Sequence, residues 1–388
     1  MEGIKKITVA GAGAMGAGIA QVAASAGHEV YLYDTRTDAI HKAIQGIYSS
    51  LDKLTEKGKV SSVKAEEIKK LIHPAPALED IKGTELFIEA IIENLPIKKE
   101  LFAAVEALLD TSAILASNTS SLSVTAIAAA CKHPERVVGL HFFNPATLMP
   151  LVEIIPAVQT NSELPQVCVD LMKRWGKIPV VAKDTPGFIV NRVARPFYGE
   201  ALRILEEGIA DIPTIDYAIK TFGGFRMGPF ELMDLIGNDI NYTVTETVWS
   251  QMYFDPRYKP SLIQKKMMEA NRFGRKSGQG YYSYAEGAVH PSANTDEVLC
   301  RGIFERVLVM LINEAAEACY LKIASVEELD LAMTKGVNYP KGLLKWSDEL
   351  GAAYVLSSLS KLYELYCEDR YRPSVLLRKL AISGTGFY

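Results

Sequence analysis

The 388-residue chain has six histidines: His28, His41, His73, His133, His141 and His290. His141 opens the stretch HFFNP (141–145). Between apolar neighbours it has two readings, a proton-transfer group or a satisfied histidine in a core. Glu153 follows twelve residues later, in LVEII. If the two apolar segments turn back on each other around Pro145–Pro150, the midpoint falls at residue 147. His141 and Glu153 then become cross-strand neighbours with side chains on one face. A carboxylate on one ring nitrogen would fix the tautomer and leave the other nitrogen to exchange a proton. The same spacing also allows an unrelated glutamate on an edge strand.

Three other stretches carry candidate groups. Gly11, Gly13 and Gly16 form G-x-G-x-x-G between a strand pattern and an Ala-rich helical run, with Ala14 and Met15 inside the loop. In that context the glycines allow a tight turn, close backbone approach to a pyrophosphate and close helix packing, and the helix N-terminus faces the phosphates. Asp34 ends the next strand and would accept the ribose hydroxyls while repelling a 2′-phosphate. NAD is therefore expected over NADP, although Arg36 lies close by. SNTSS (117–121), with Asn118 and Ser120, follows the apolar run AILA; it is either a ligand-facing strand end or an ordinary turn. Asn191 sits inside the helical run FIVNRVA, where an Asn invites a partner, structural or substrate. No His/Cys/Asp/Glu cluster has zinc-ligand spacing, so no metal is expected.

These groups need elements to hold them. KITVA (6–10), EVYLYD (29–34), ELFIEAII (85–92), AILASN (113–118), RVVGLHFF (136–143) and VEIIP (152–156) read as strands, with helical patterns between the earlier ones. Alternation of this kind predicts a doubly wound parallel sheet. After DTPGFIVNR (184–192) helical patterns dominate, and Pro186-Gly187 punctuates a boundary near Asp184. The helical region repeats itself at a constant register of 114. Arg192 matches Arg306, Glu200 Glu314, Asp216 Asp330, Gly228 Gly342, Asp234 Asp348 and Gly237 Gly351. KPSLI (259–263) echoes RPSVL (372–376), and SGQGYY (277–282) echoes SGTGFY (383–388). The expected organisation is an α/β Rossmann domain over 1–184 followed by two tandem all-α domains, over 185–285 and 296–388.

Composition narrows the class. Hydrophobic residues make up 48% and charged residues 23%, with a net charge of −4, which points away from nucleic acid. The five cysteines are scattered and odd in number, as expected of free thiols in a reducing compartment. No run of 18 or more apolar residues indicates a membrane span. MEGIKKITVAGAGAMG enters a strand pattern without signal-peptide order, so a cytoplasmic protein is expected.

GAGAMGAGIA, Asp34, IEAIIEN, SNTSSLS, HFFNP, LVEII and DTPGFIVNR, in this order and spacing, resemble the L-3-hydroxyacyl-CoA dehydrogenases over essentially the whole chain. The duplicated C-terminal domain looks like the bacterial branch acting on 3-hydroxybutyryl-CoA or 3-hydroxyadipyl-CoA. It also looks like the dehydrogenase part of multifunctional β-oxidation proteins. The resemblance implies NAD-dependent, reversible oxidation of an L-3-hydroxyacyl-CoA, in β-oxidation-like or aromatic degradation. It implies His141 as general base and Glu153 as its orienting partner, with Ser120 and Asn191 holding the reacting oxygen or its neighbours. Glu93, Lys98, Asn118, Asn144 and Lys276 match cofactor-side positions, and Ser50 and Lys57 match CoA-contacting ones.

In the second repeat Glu305 replaces Asn191 and Ile382 replaces Lys276, so that copy is expected to be structural. Single-repeat members pair through this domain; the second copy could supply that contact in cis, as an internal pseudo-dimer, or whole chains could form a homo-oligomer. Two rival readings share the fold: a dehydrogenase of a small hydroxy acid without CoA, and a non-catalytic NAD-binding module. Arg195 and Arg226 could meet a carboxylate at the distal end of the acyl chain, or be solvated surface charges.

Overall fold

Short runs rich in Val, Ile and Leu build one eight-stranded sheet in the computed structural model, which describes residues 3–388. The strands are β1 Lys6–Ala10, β2 Glu29–Tyr33, β3 Ile72–Ala75, β4 Leu86–Glu89, β5 Ile114–Ser117, β6 Val137–Phe142, β7 Leu151–Pro156 and β8 Ile178–Val181. Their order is β3-β2-β1-β4-β5-β6-β7-β8. Pairing is parallel throughout except between β6 and β7, which run antiparallel. Strands β4, β5 and β6 are buried along their whole length, as a sheet covered on both faces requires. Ile7, Val9, Leu32, Ile88, Leu140 and Ile154 form the centre of the core. Each such side chain contributes roughly 1.5–3 kcal/mol on leaving water.

The helices of this unit are α1 Ala14–Ser25, α2 Thr37–Glu56, α3 Ser62–Lys70, α4 Leu95–Glu106, α5 Val124–Ala128 and α6 Leu164–Arg174. Chain order reverses between β1 and β4, which creates the crevice where open α/β sheets bind ligands, beyond the strands' carboxyl ends. Two strands, β3 and β8, were not expected from the sequence. Each is four residues long, contains a proline (Pro74, Pro179) and lies at an edge of the sheet. That is where a residue without an N–H is tolerated.

Two compact units divide the chain, Met1–Thr185 and Pro186–Tyr388. The second is helical: α7 Val190–Val193, α8 Arg195–Glu206, α9 Ile212–Gly223, α10 Pro229–Ile236, α11 Asn238–Gln251 and α12 Leu262–Glu269, then α13 Glu297–Tyr320, α14 Val326–Gly336, α15 Leu343–Leu350, α16 Ala352–Tyr366 and α17 Val375–Ser383. The repeat is visible element by element. Helices α9 to α12 correspond to α14 to α17, and α7 with α8 corresponds to the later part of the unbroken α13. The break between α7 and α8 falls just before Pro196, which has no N–H to donate into the preceding turn.

The same buried devices recur in both copies. Asp216 accepts hydrogen bonds from the N–H groups of Phe230 and Glu231 and from the Tyr282 hydroxyl. Asp330 accepts from Leu344 N–H, Lys345 N–H and the Tyr388 hydroxyl. The copies also exchange ion pairs. Arg192 Nε meets Glu314 at 2.6 Å, and its repeat mate Arg306 meets Glu200, the mate of Glu314, at 3.0 Å. Tyr258 donates to Glu314 and Tyr371 to Glu200. One residue thus meets the mate of its own partner, the reciprocity of a two-fold interface written within one chain.

Candidate active site

The first glycine turn is held by the neighbouring strand. Gly11 has φ +105°, and a Cβ there would lie 2.4 Å from the carbonyl oxygen of Ala90, just beyond β4. Gly16 lies so close to the Gly11 carbonyl that no side chain fits. Gly13 differs: a Cβ would meet nothing within 4 Å, so its backbone faces open space. It is also the N-cap of α1, with no side-chain cap and no acidic residue in the first turn. The N–H groups at that helix end are therefore left for an anion. Asp34 accepts from Ala12 N–H at 2.8 Å and Arg36 N–H at 3.0 Å, which fixes its carboxylate beside the turn. These residues fit the pyrophosphate and ribose of a dinucleotide. The Arg36 side chain is largely exposed and stands 3.9 Å from Asp34.

Along the same sheet end, a buried carboxylate organises the next group. Glu89 closes β4, is fully buried, and receives Lys98 Nζ at 2.5 Å and Ser117 Oγ at 2.6 Å. Lys98 also reaches Glu93 at 3.1 Å. Glu93 in turn accepts from Thr119 Oγ1, Ser120 N–H and Ser121 N–H. Burial opposes ionisation of Glu93, but the Lys98 charge and the Thr119 and Ser120 hydrogen bonds hold its carboxyl below the ordinary value. Glu93, Lys98 and Ser120 are thereby brought together. Glu89 and Ser117 are parts of this cluster that the sequence reading passed over. Their signal was an acid and a hydroxyl ending otherwise apolar strands.

His141 and Glu153 are register partners in the β6–β7 ladder. The ring Nδ1 lies 2.6 Å from Glu153 Oε2. Glu153 is fully buried and His141 is 6% exposed. A carboxylate on Nδ1 orients the ring and governs which nitrogen carries the hydrogen. Phe143 packs on the imidazole at a centroid distance of 4.5 Å. Asn118 Oδ1 accepts the N–H of Phe142, tying SNTSS to the strand that carries His141. The loop after β6 also touches the dinucleotide helix: a Cβ on Gly18 would lie 3.1 Å from that of Ala146. Asn144 is exposed on this loop.

The remaining candidates lie on other elements. Ser50 is on α2, and Lys57, exposed, caps its C-terminus rather than lying within it. Asn191 is on α7 in the helical unit, and Lys276 is there too, its ammonium 2.6 Å from Asp239. Arg226 is exposed, whereas Arg195 is buried. A cavity of about 440 Å³, lined by Ile4, Glu85, Ile114 and Arg136 among others, holds none of the candidate residues. Among the described residues no cluster of His, Cys, Asp or Glu could hold a metal ion, and no helix is long and apolar enough to cross a membrane. The five cysteines are free thiols.

A reversing sheet order, an open glycine turn answered by an acid, and a buried histidine–carboxylate pair define an oxidoreductase of the Rossmann class. Comparison with known proteins narrows the class. Residues 6–185 match the NAD binding domain of 3-hydroxyacyl-CoA dehydrogenase, and residues 187–284 and again 303–386 match the C-terminal domain of the same family. The chain belongs to the 3-hydroxyacyl-CoA dehydrogenase family. It is 36% identical to a 3-hydroxyadipyl-CoA dehydrogenase of Escherichia coli K12, covering 100% of this chain and 99% of that one. It is 43% identical to the human mitochondrial hydroxyacyl-coenzyme A dehydrogenase, over 72% of this chain and 91% of that one. The crystal structure of a 3-hydroxybutyryl-CoA dehydrogenase from Escherichia coli K12 superposes with a TM-score of 0.93 at 35% identity, over 98% of this chain and 99% of that one.

Proposed function

We propose that this protein oxidises the 3-hydroxyl of an L-3-hydroxyacyl-CoA, reversibly, with NAD. The buried pair of His141 and Glu153 at 2.6 Å, in a chain of this family, carries the reading. NAD supplies the acceptor for the hydride that C3 gives up. His141 takes the hydroxyl proton at Nε2, as a general base fixed through Nδ1. Glu153 holds the tautomer and stabilises the imidazolium that forms. Gly11, Gly13, Ala14, Met15 and Gly16 form the pyrophosphate turn, and Asp34 receives the adenosine ribose. Glu93, Lys98, Asn118 and Asn144 line the nicotinamide side, and Lys276 is a further cofactor-side residue. Ser120 and Asn191 hold the reacting oxygen, and Ser50 and Lys57 contact the CoA moiety. The second helical copy has no catalytic role, and the protein works in the cytoplasm.

The test follows NADH consumption with acetoacetyl-CoA for the wild type and His141→Gln. Turnover should fall by about 10²–10⁴ in the variant while NADH still binds. A variant that keeps its turnover would remove His141 from the chemistry. A folded, NADH-binding wild type that reduces no 3-oxoacyl-CoA would overturn the substrate class.

A further inference from the structure

The turn that ends α6 carries a lysine that the chemistry above leaves unused. Gly176, at φ +71°, turns the chain out of the helix, and Lys177 follows, 9% exposed. Its ammonium donates to the carbonyl oxygens of Ala146 at 2.5 Å and Met149 at 2.9 Å. Both partners are main-chain carbonyls, and no carboxylate neutralises the charge among the described residues. Burial pulls the Lys177 pKa down, with no acid to offset it. A hydroxyl or an amide could satisfy one of these carbonyls without burying a charge. What an ammonium adds is reach: one atom ties together two carbonyls three residues apart.

Those carbonyls belong to the β6–β7 connection, residues 143–150, which starts just after His141 and carries Asn144. Ala146 is its one buried residue. On its other side Ala146 abuts Gly18, one turn into α1, where a Cβ would lie 3.1 Å from its own. The residues flanking Lys177 hold the same region. Ile178 N–H bonds the Pro150 carbonyl at 2.8 Å and opens β8 beside β7, the strand of Glu153. Trp175 packs on Phe142, the neighbour of His141, with ring centroids 6.3 Å apart. Its Nε1 donates to His28, just before β2, at 2.8 Å. One turn thus backs the strand of His141 and grips the loop beyond it.

With the adenosine ribose at Asp34 on β2 and the pyrophosphate at the turn after β1, the nicotinamide half runs over the ends of β4 and β5 towards His141 on β6. The hydride acceptor is therefore placed by α1 and the base by β6. The loop held by Lys177 is where α1 meets the chain that continues from β6. We propose that Lys177 is a positioning residue for hydride transfer: by clamping Ala146 and Met149 it seats the loop against Gly18 and so sets the distance between His141 and the nicotinamide. This rests on the dehydrogenase reading above. Lys177 acts through the loop and not on the reacting atoms. Reacting groups must approach to about 3–3.5 Å, and a misplacement of about 1 Å costs on the order of 10²-fold in rate.

The experiment measures kcat and the KM values for NADH and acetoacetyl-CoA, per NADH-binding site, in Lys177→Met and Gly18→Ala. Methionine keeps an unbranched apolar stem and loses both hydrogen bonds. Its kcat should fall by on the order of 10²-fold and its NADH KM rise about tenfold, while the acetoacetyl-CoA KM stays within about threefold. Gly18→Ala leaves Lys177 intact but pushes the loop by a few tenths of an ångström. Alanine suits a helix better than glycine, so the urea midpoint should hold while kcat/KM for NADH falls by about threefold to tenfold. Lys177→Met with a lower urea midpoint but wild-type kcat and NADH KM would reduce Lys177 to a prop for the fold and overturn the proposal. A rise confined to the acetoacetyl-CoA KM would overturn it too. If Lys177→Met does not fold, Gly18→Ala decides, and unchanged kinetics there would sink the idea. An active wild type with indifferent variants would end this inference alone. A wild type that binds NADH and reduces no 3-oxoacyl-CoA would end the dehydrogenase reading and this inference with it.

Discussion

The two helical copies share a framework and differ in what they enclose. Asp216 and Asp330 bind two helix N–H groups and a tyrosine hydroxyl in the same way. Asp234 and Asp348 each bind the backbone of the terminal SGxGxY echo, where Gly280 and Gly386 leave room for them. The ion pairs between the copies are reciprocal. Yet Asn191 gives way to Glu305, Arg195 to Val309 and Glu207 to Leu321. Positions that serve the fold keep their chemistry in both copies. Positions that differ are the ones at which the proposed division of labour between the copies can be tested. Because both copies share one chain, each serves as the other's control.

The largest expected effect falls on the shared part. Glu314→Gln leaves Arg192 and Arg257 facing a neutral amide in a buried setting, and Glu200→Gln does the same to Arg306 and Arg370. Removing one partner of a buried pair costs about 3–5 kcal/mol, because the remaining charge is stranded. Urea unfolding should show the larger loss in Glu314→Gln and a smaller one in Glu200→Gln, because Arg306 keeps the Glu207 carboxylate at 2.7 and 2.9 Å. Equal losses would mean that Glu207 does not compensate for Glu200, and no loss in either would mean that the reciprocity is geometric only.

A smaller effect should separate the copies by function. Asn191→Ala should lower kcat/KM by about 10²-fold, roughly 2.7 kcal/mol, if its amide steadies charge at the reacting oxygen. Glu305→Ala, at the same register, removes an acid that accepts from Ser358 at 2.6 Å and should leave kcat/KM within about twofold. Steady-state kinetics with acetoacetyl-CoA reads both. Loss of activity in the Glu305 variant would give the second copy a catalytic role and end the division of labour proposed for it.

Much of the site could be read from the sequence because it rests on local geometry. The glycine turn, Asp34 and the His141–Glu153 pairing follow from a strand–turn–helix pattern and a short antiparallel return. Glu89 was missed because a single acid at the end of the apolar run LFIE gives no sign that Lys98 and Ser117 converge on it. The edge strands β3 and β8 were missed because four residues with a proline do not stand out from loop. Arg195 was left undecided between a ligand contact and a surface charge because burial depends on packing that a lone basic residue does not reveal. The repeat held a signal nonetheless: an apolar Val309 in register with Arg195 marks a position that the fold buries. The register also identified Arg192 with Arg306 and Glu200 with Glu314, but not that each arginine would choose the other copy's glutamate.

The smallest effect tests an asymmetry within the shared frame. Glu207 adds a second carboxylate to Arg306, with contacts at 2.7 and 2.9 Å, and accepts from the Tyr366 hydroxyl at 2.7 Å. Its counterpart is Leu321, so Arg192 has no equivalent partner at that register. Partial burial opposes ionisation of Glu207, but the hydrogen bonds from Arg306 and Tyr366 outweigh it and hold the carboxyl below its ordinary value of 4.5. A carboxyl lowered in the folded state contributes stability above its unfolded pKa and loses it as pH falls through the folded value. Glu207→Leu should therefore be less stable than wild type near neutrality, and the gap should narrow as pH drops below about 4.5. Urea midpoints at neutral and acid pH measure that gap. A gap that stayed constant across the acid range would assign the Glu207 contribution to packing, and the extra charge in the first copy would carry no pH signature.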